Sequence, residues 1–227
     1  MNLTPRLNPA VRYSQSDFVP IVSLAVTPPL LVVTSDFPAN DVKGLLELAR
    51  AKPGSLSYGT WGQGSLPHVA GEWLDKLAGT RMTPIPYKGE VPVLQDMLGG
   101  QIKLGWVTMP ALQPHLQSGK LKVLAIASAQ RDPLMPSVPT FVEQGVRDFV
   151  ITSWTGLFAA KGTPPEIVRQ LNDKVREVLR QPEVQERFRG LGLTLVSLSP
   201  EQFGSLVAAD AARLAPTLDQ LATTLKP

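Results

Sequence analysis

Between Leu56 and Ala127 short apolar runs alternate with amphipathic ones, and glycine or proline stands at nearly every join. That alternation leaves few folds open to the chain. Residues 56–58, 82–86, 103–107 and 121–127 read as strands, and the last, LKVLAIA, reads as fully buried. The segments between them carry apolar residues at helical spacing. Val69, Trp73, Leu74 and Leu77 face inward before Gly79, and helices at 91–98 and 111–117 end at Gly99 and Gly119. Such a series predicts an α/β domain on a parallel sheet with right-handed crossovers.

The flanks are less regular. Residues 21–26 and 30–34 are β-branched enough for buried strands, divided by Pro28 and Pro29. Residues 42–51 form a helix with Val42, Leu45, Leu46 and Ala49 on one face, capped by Asn40 or Asp41. After a proline-rich loop at 131–139 and a helical turn at 140–144, residues 151–160 read as a strand. Thr163 to Glu166 resembles a capping box opening a helix, with Ile167, Leu171, Val175, Val178 and Leu179 as its apolar stripe. A second helix at 183–189, a strand at 194–196 and a last helix from Pro200 to about Leu221 complete the chain.

At 227 residues the chain suits one large or two modest domains. It has no cysteine, so disulfides and thiolate metal sites are excluded. Net charge is +3, but the lysines and arginines form no stripe and are not interleaved with aromatic residues, which argues against nucleic acid. The apolar run at 21–33 is broken by Ser23, Thr27, Pro28 and Pro29 and is too short to span a membrane. The opening MNLTPRLNPAVRYS has no apolar core of a signal peptide, which read literally keeps the chain in the cytoplasm.

The stretch with most chemical content is 57–78, SYGTWGQGSLPHVAGEWLDKLA. It reads as a strand end, a glycine turn and a helix start. Gly59, Gly62 and Gly64 permit positive φ and close approach of a ligand to the backbone. Ser65 is placed to cap the helix, and Pro67 falls within its first turn. Free N–H groups and the positive dipole end make that terminus an anion site. The phosphate-loop reading fails because Ser65 and Leu66 stand where Lys and Ser/Thr are required, and G-x-x-G-x-G is not the dinucleotide fingerprint.

Ser65, His68 and Glu72 invite a hydrolase reading, but the nucleophile elbow is missing and one helix face does not orient a triad. His68 is read as a structural or supporting polar group, and His115 as a surface residue. Trp61 either covers the core or walls a pocket. Tyr87, Lys88 and Gly89 follow a strand at the carboxyl end of the sheet, where open α/β sheets bind ligands. Trp106 and Thr108 end the next strand and are expected on the same rim, with Trp154 as core or pocket floor. No catalytic group, metal cluster or cofactor motif emerges, and small polar groups with glycines and aromatics suit a binding cleft.

Several of these segments together resemble a known family. YGTWGQGSLPHVAGEWL, then PYKG at 86–89, LQDMLGGQIKL at 94–104, SGKLKVLAIAS at 118–128, PSVPTFVEQG at 136–145 and SWTGLFAAKGTP at 153–164 occur in order as in the Bug family. These TctC-like proteins are the solute-binding components of tripartite tricarboxylate transporters, and the likeness runs from about Asp17 to the last helix. The resemblance implies a type II periplasmic-binding-protein fold, a Venus flytrap of two αβ domains, with domain 1 incomplete. Residues 1–31 and 153–227 would be the remnant of domain 1 and 32–152 a complete domain 2, with 30–34 and 156–160 crossing between them.

It further implies a monomeric periplasmic protein that binds a small organic carboxylate without cofactor and hands it to membrane subunits. The residues expected at the ligand are Thr60, Trp61, Gly62, Gly64, Ser65, His68, Tyr87, Lys88, Gly89, Trp106 and Trp154. Trp61 stands at a position that is small in the family, which would shrink the pocket or change its preference. The family's signal peptide and first βαβ portion have no counterpart here, so the C-terminal helices are expected to expose part of their apolar faces. A truncated member without a working cleft, and a small hydrolase using Ser65 and His68, are the alternative readings.

Overall fold

A computed structural model describes residues 3–8, 10–151 and 153–224, in two units: residues 1–27 with 153–227, and residues 28–152. The chain opens in the first unit with a single helical turn, α1 (Thr4–Leu7), and strand β1 (Phe18–Val26). The second unit follows the proline pair with β2 (Leu30–Thr34), α2 (Val42–Ala51), β3 (Ser57–Thr60) and α3 (Leu66–Ala78). It continues through β4 (Thr83–Pro86), α4 (Glu90–Leu98), β5 (Leu104–Val107), α5 (Met109–Leu112), a 3-10 turn to Ser118, and β6 (Leu121–Ile126). The first unit resumes with β7 (Trp154–Ala160), α6 (Pro165–Leu179), α7 (Pro182–Gly190), β8 (Thr194–Leu195) and α8 (Pro200–Thr224). In the expected strand at 151–160, Thr152 lies outside the described residues.

In the second unit the sheet order is β4-β3-β5-β2-β6. β3 is parallel to β4 and β5, whereas β2 is antiparallel to both β5 and β6. The sheet is therefore mixed, not all parallel as the alternation implied. β2 has no crossover helix before it, so nothing obliges it to run with the others. All five residues of β2 are buried. Leu31 and Val33 join a core with Val42, Leu45, Ala49, Ala70 and Leu74 of α2 and α3, while Leu30 and Val32 join Val93, Leu94 and Met97 of α4 on the other face. Helices thus cover both faces, which is why β2 reads as an unbroken apolar run instead of alternating.

Local signals explain the helix limits. The Asp41 carboxylate accepts the Gly44 N–H at 2.7 Å to start α2, and Gly79, at φ 62°, closes α3 in the left-handed conformation. Within α3 Leu77 is exposed, contrary to expectation, and Pro67, His68 and Ala70 lie inside with Val69 and Leu74.

The first unit is a three-stranded antiparallel sheet, β7-β1-β8, with α6 and α8 packed on β1. Thr163 does not cap α6: its hydroxyl donates to the Ala160 carbonyl, and no side chain caps the helix. Of the expected α6 stripe, Ile167, Leu171 and Val178 are 41%, 43% and 47% exposed and Leu179 is buried, while Val168 and Asn172, outside that stripe, turn inward. Val168 and Val175 meet Ile21 and Val22 of β1, and the Asn172 amide donates to the Ile21 carbonyl at 2.7 Å.

Candidate ligand-binding site

β3, β4 and β5 run in one direction, so Thr60, Pro86 and Val107 end at one edge of the sheet, each followed by a turn and a helix start. Hydrogen bonds tie the three turns together. Tyr87 N–H donates to the Thr60 carbonyl at 3.0 Å, and the Trp61 indole N–H donates to the Trp106 carbonyl at 2.9 Å. Gly62 at φ 122° and Gly64 at φ 73° need the freedom that glycine provides. Gly59 does not: it lies in the strand, and a side chain there would meet Val93 and Ile102 at 2.6 and 2.8 Å. Its role is close packing of α4 on β3, a correction to the turn reading.

Ser65 caps α3 in extended geometry (φ −68°, ψ 165°), yet its hydroxyl makes no capping bond. Pro67 at the second helical position has no N–H to offer, which removes one of the two amides a capping side chain can reach. Ser65 Oγ is consequently buried with no hydrogen-bond partner. The N–H groups of Leu66 and His68 have no partner inside the helix. Thr60 is fully buried, and its hydroxyl is directed at the Gly62 and Ile85 carbonyls at 3.3 and 3.4 Å.

His68 is buried, and its Nδ1 accepts the Gly64 N–H at 3.0 Å. That bond assigns the proton of the neutral ring to Nε2. Burial holds its pKa below the ordinary histidine value, so the 3.9 Å approach of Nε2 to Glu72 is not an ion pair. Glu72 is itself held above the usual carboxylate range, first by burial and then by Asp75. With Ser65 Oγ unpartnered and Nδ1 committed to a backbone amide, serine and histidine do not form a nucleophile–base couple. His68 braces the glycine turn, as a supporting group.

The second turn holds a residue that sequence reasoning missed. Glu90, the first residue of α4, takes both the N–H and the hydroxyl of Thr108, the hydroxyl at 3.1 Å. Burial raises its pKa, and the two Thr108 bonds oppose the rise. The acidic first-turn position is legible in PYKGEVP, but its partner, 18 residues on, is not. Tyr87 donates its hydroxyl to Asp96 at 2.8 Å, and burial with that bond pushes its pKa up to about 12. Gly89, at φ 109°, precedes Glu90, and Lys88 is exposed.

Trp106 is not on the rim where it was expected, and Trp154, read as core or pocket floor, packs away from the α3 turn. Trp106 is fully buried and stacks on Phe141 at 5.6 Å, with its indole N–H unpartnered. Strand alternation sends Trp106 into the core beside Tyr58 and Leu31, and only its carbonyl serves the turn. Trp154 belongs to the first unit, where it packs on Phe158 and Phe203 and donates to Asp210 at 2.9 Å. Among the described residues no group of three or more histidines and acids could hold a metal ion, and no helix is long and apolar enough to cross a membrane.

The model of the tripartite tricarboxylate transporter receptor family, TctC, matches residues 1–222. The chain belongs to this family. BugT of Bordetella pertussis is 33% identical over 97% of the chain and 68% of its own length. A Pseudomonas protein encoded in the tcbD–tcbE intergenic region is 32% identical over 90% of the chain and 62% of its own length. Among solved structures, an R. palustris protein with adipate superposes with a TM-score of 0.84 at 33% identity, covering 98% of this chain and 75% of that one. The TctC chain thus spans 62% to 75% of the length of these three proteins.

Proposed function

We propose that the chain is a solute-binding protein whose second unit receives a small organic carboxylate at the α3 N-terminus. The observation that carries this reading is Ser65 Oγ, a buried hydroxyl without a partner on the N-cap of a 13-residue helix. A buried polar group without a partner is unfavourable, and an incoming carboxylate would satisfy it together with the Leu66 and His68 amides. The positive end of the helix dipole favours the same charge. The glycine turn gives the ligand access to backbone, and His68 holds that turn in shape through Gly64. Nothing in this arrangement activates a nucleophile or a water, so the carboxylate is held and not transformed.

The adipate bound by the R. palustris relative supports the ligand class. Delivery to the membrane subunits of a tripartite transporter, a periplasmic location and a monomeric state complete the proposal by family membership. The test is a thermal melt of the chain with millimolar hexanoate, benzoate, malate or adipate. At a hundredfold excess over Kd a ligand adds about 2.7 kcal/mol of stability, several degrees in Tm. A rise with at least one acid that Ser65→Ala removes supports the site. No rise across the panel defeats it and favours a family member without a working cleft.

A further inference from the structure

The glycine turn before α3 requires a neutral His68, because Nδ1 serves there as an acceptor. His68 is the third residue of α3, and its ring reaches back over the helix start to take the Gly64 N–H at 3.0 Å. The next amide, that of Ser65, is taken by the Gly62 carbonyl at 3.2 Å. These two bonds shape the turn directly before the amides of Leu66 and His68. An imidazolium carries hydrogen on both ring nitrogens and accepts nothing. On protonation the Nδ1 and Gly64 hydrogens would face each other across 3.0 Å, so the bond is lost and ring and turn must part.

The protonated ring has a partner at hand. Nε2 lies 3.9 Å from the Glu72 carboxylate, one helical turn further on and about 1 Å beyond charge-assisted bonding distance. The titratable groups around the ring are Glu72 and Asp75 on α3, Arg81, which acts on Glu72, and Tyr58 of β3, whose hydroxyl is directed at the His68 carbonyl at 3.5 Å. Glu72 therefore meets the ring at the nitrogen that Gly64 does not use.

We propose that His68 is a positioning residue that couples carboxylate binding to a proton: the α3 site holds its ligand while the neutral ring holds Gly64, and protonation turns the ring to Glu72, frees the turn and releases the ligand. The inference rests on the reading of α3 as the carboxylate site. Burial keeps the ring neutral near pH 7, so release falls on the acid side. Plain attraction has the opposite sign, since a positive ring beside an anion would tighten binding as pH falls. Here one nitrogen faces a backbone amide and the other a carboxylate, so neither is left to meet the ligand, and loss of the turn prevails.

The Kd values of hexanoate, benzoate, malate and adipate are measured by calorimetry on the whole chain from about pH 8 to about pH 5.5, with each acid's own ionisation divided out. In the wild type Kd stays level within about twofold down to the folded pKa of His68, then rises toward about tenfold per pH unit. Repeated in two buffers of different ionisation enthalpy, the acid-end titration shows about one proton released per ligand bound. In His68→Asn the side-chain oxygen takes the place of Nδ1 and does not titrate, so the pH dependence and the proton release disappear. In Glu72→Gln the slope is kept and the rise begins at lower pH, because the imidazolium has lost its partner.

Binding that tightens as pH falls, a level wild-type Kd, or the wild-type slope kept in His68→Asn overturns the inference while leaving the α3 site standing. Should His68→Asn not fold, the wild-type proton count and the Glu72→Gln shift decide, and a count of zero or an unmoved rise overturns it. If no acid of the panel binds at about pH 8 and Ser65→Ala changes nothing, the α3 reading and this inference fall together. A merely structural His68 would lower the melting temperature in acid without releasing a proton on binding.

Discussion

Gly71 lies in the middle of α3, where helix propensity and packing make opposite predictions for alanine. An added Cβ would stand 2.1 Å from Cζ and 2.2 Å from Oη of Tyr58, whose ring is fully buried under the helix. Ordinary contact begins near 3.4 Å, so helix or ring must move by more than 1 Å. Neither moves freely, since Tyr58 is a β3 residue inside the core of α2 and α3. Overpacking of this kind costs about 1–3 kcal/mol, and an overlap with three ring atoms belongs at the upper end. Replacing a helical glycine by alanine returns about 1 kcal/mol.

The net expectation for Gly71→Ala is a loss of about 2 kcal/mol, a fall in Tm of about 4–8 °C for a chain of this size. Differential scanning calorimetry and urea unfolding measure it. In a double-mutant cycle with Tyr58→Leu the two losses are less than additive by about 1 kcal/mol, because the smaller side chain makes room. Because α3 carries Ser65 and His68 at its start, the proposed site predicts that the displaced helix also loses carboxylate-dependent stabilisation. An alanine variant more stable than wild type by about 1 kcal/mol, as propensity alone would have it, refutes the packing argument.

Two further outcomes follow from the same contacts. His68 has a folded pKa below its ordinary 6.5, so the stability it contributes is intact above that pH and is lost as pH falls through the depressed folded value. Unfolding curves of wild type and His68→Gln should therefore diverge below about pH 6.5, with wild type the more acid-sensitive, and parallel curves would show that His68 is not held neutral by burial. On α6, Leu171→Lys should change stability by no more than about 0.5 kcal/mol, since that side chain is exposed; a loss of about 2 kcal/mol would mean something covers it.

Some site features were legible because they depend on neighbours in the chain. The glycine turn, the Ser65 cap position and the stop at Gly79 are local matters of φ, of the first-turn amides and of the missing proline N–H. Glu90 was not legible, since its function is a bond to Thr108 on another strand–helix join. Gly59 was misread for a related reason. A glycine for a turn and a glycine for close helix packing look the same until the partner, Val93, is known.

By itself the sequence determined the order of the strand–helix series in the second unit and the burial of β2, which follow from spacing and local chemistry, while the family showed in the likeness of several motifs taken in order. Tertiary structure alone decided that β2 runs against its neighbours, that Trp106 points into the core, that Trp154 packs on Phe158 and Phe203, and that Ser65 keeps an unused hydroxyl. Periodicity tells which residues share a face of an element. It carries no information about what that face meets, and the direction of a strand, the burial of an indole and the satisfaction of a hydroxyl are properties of the meeting.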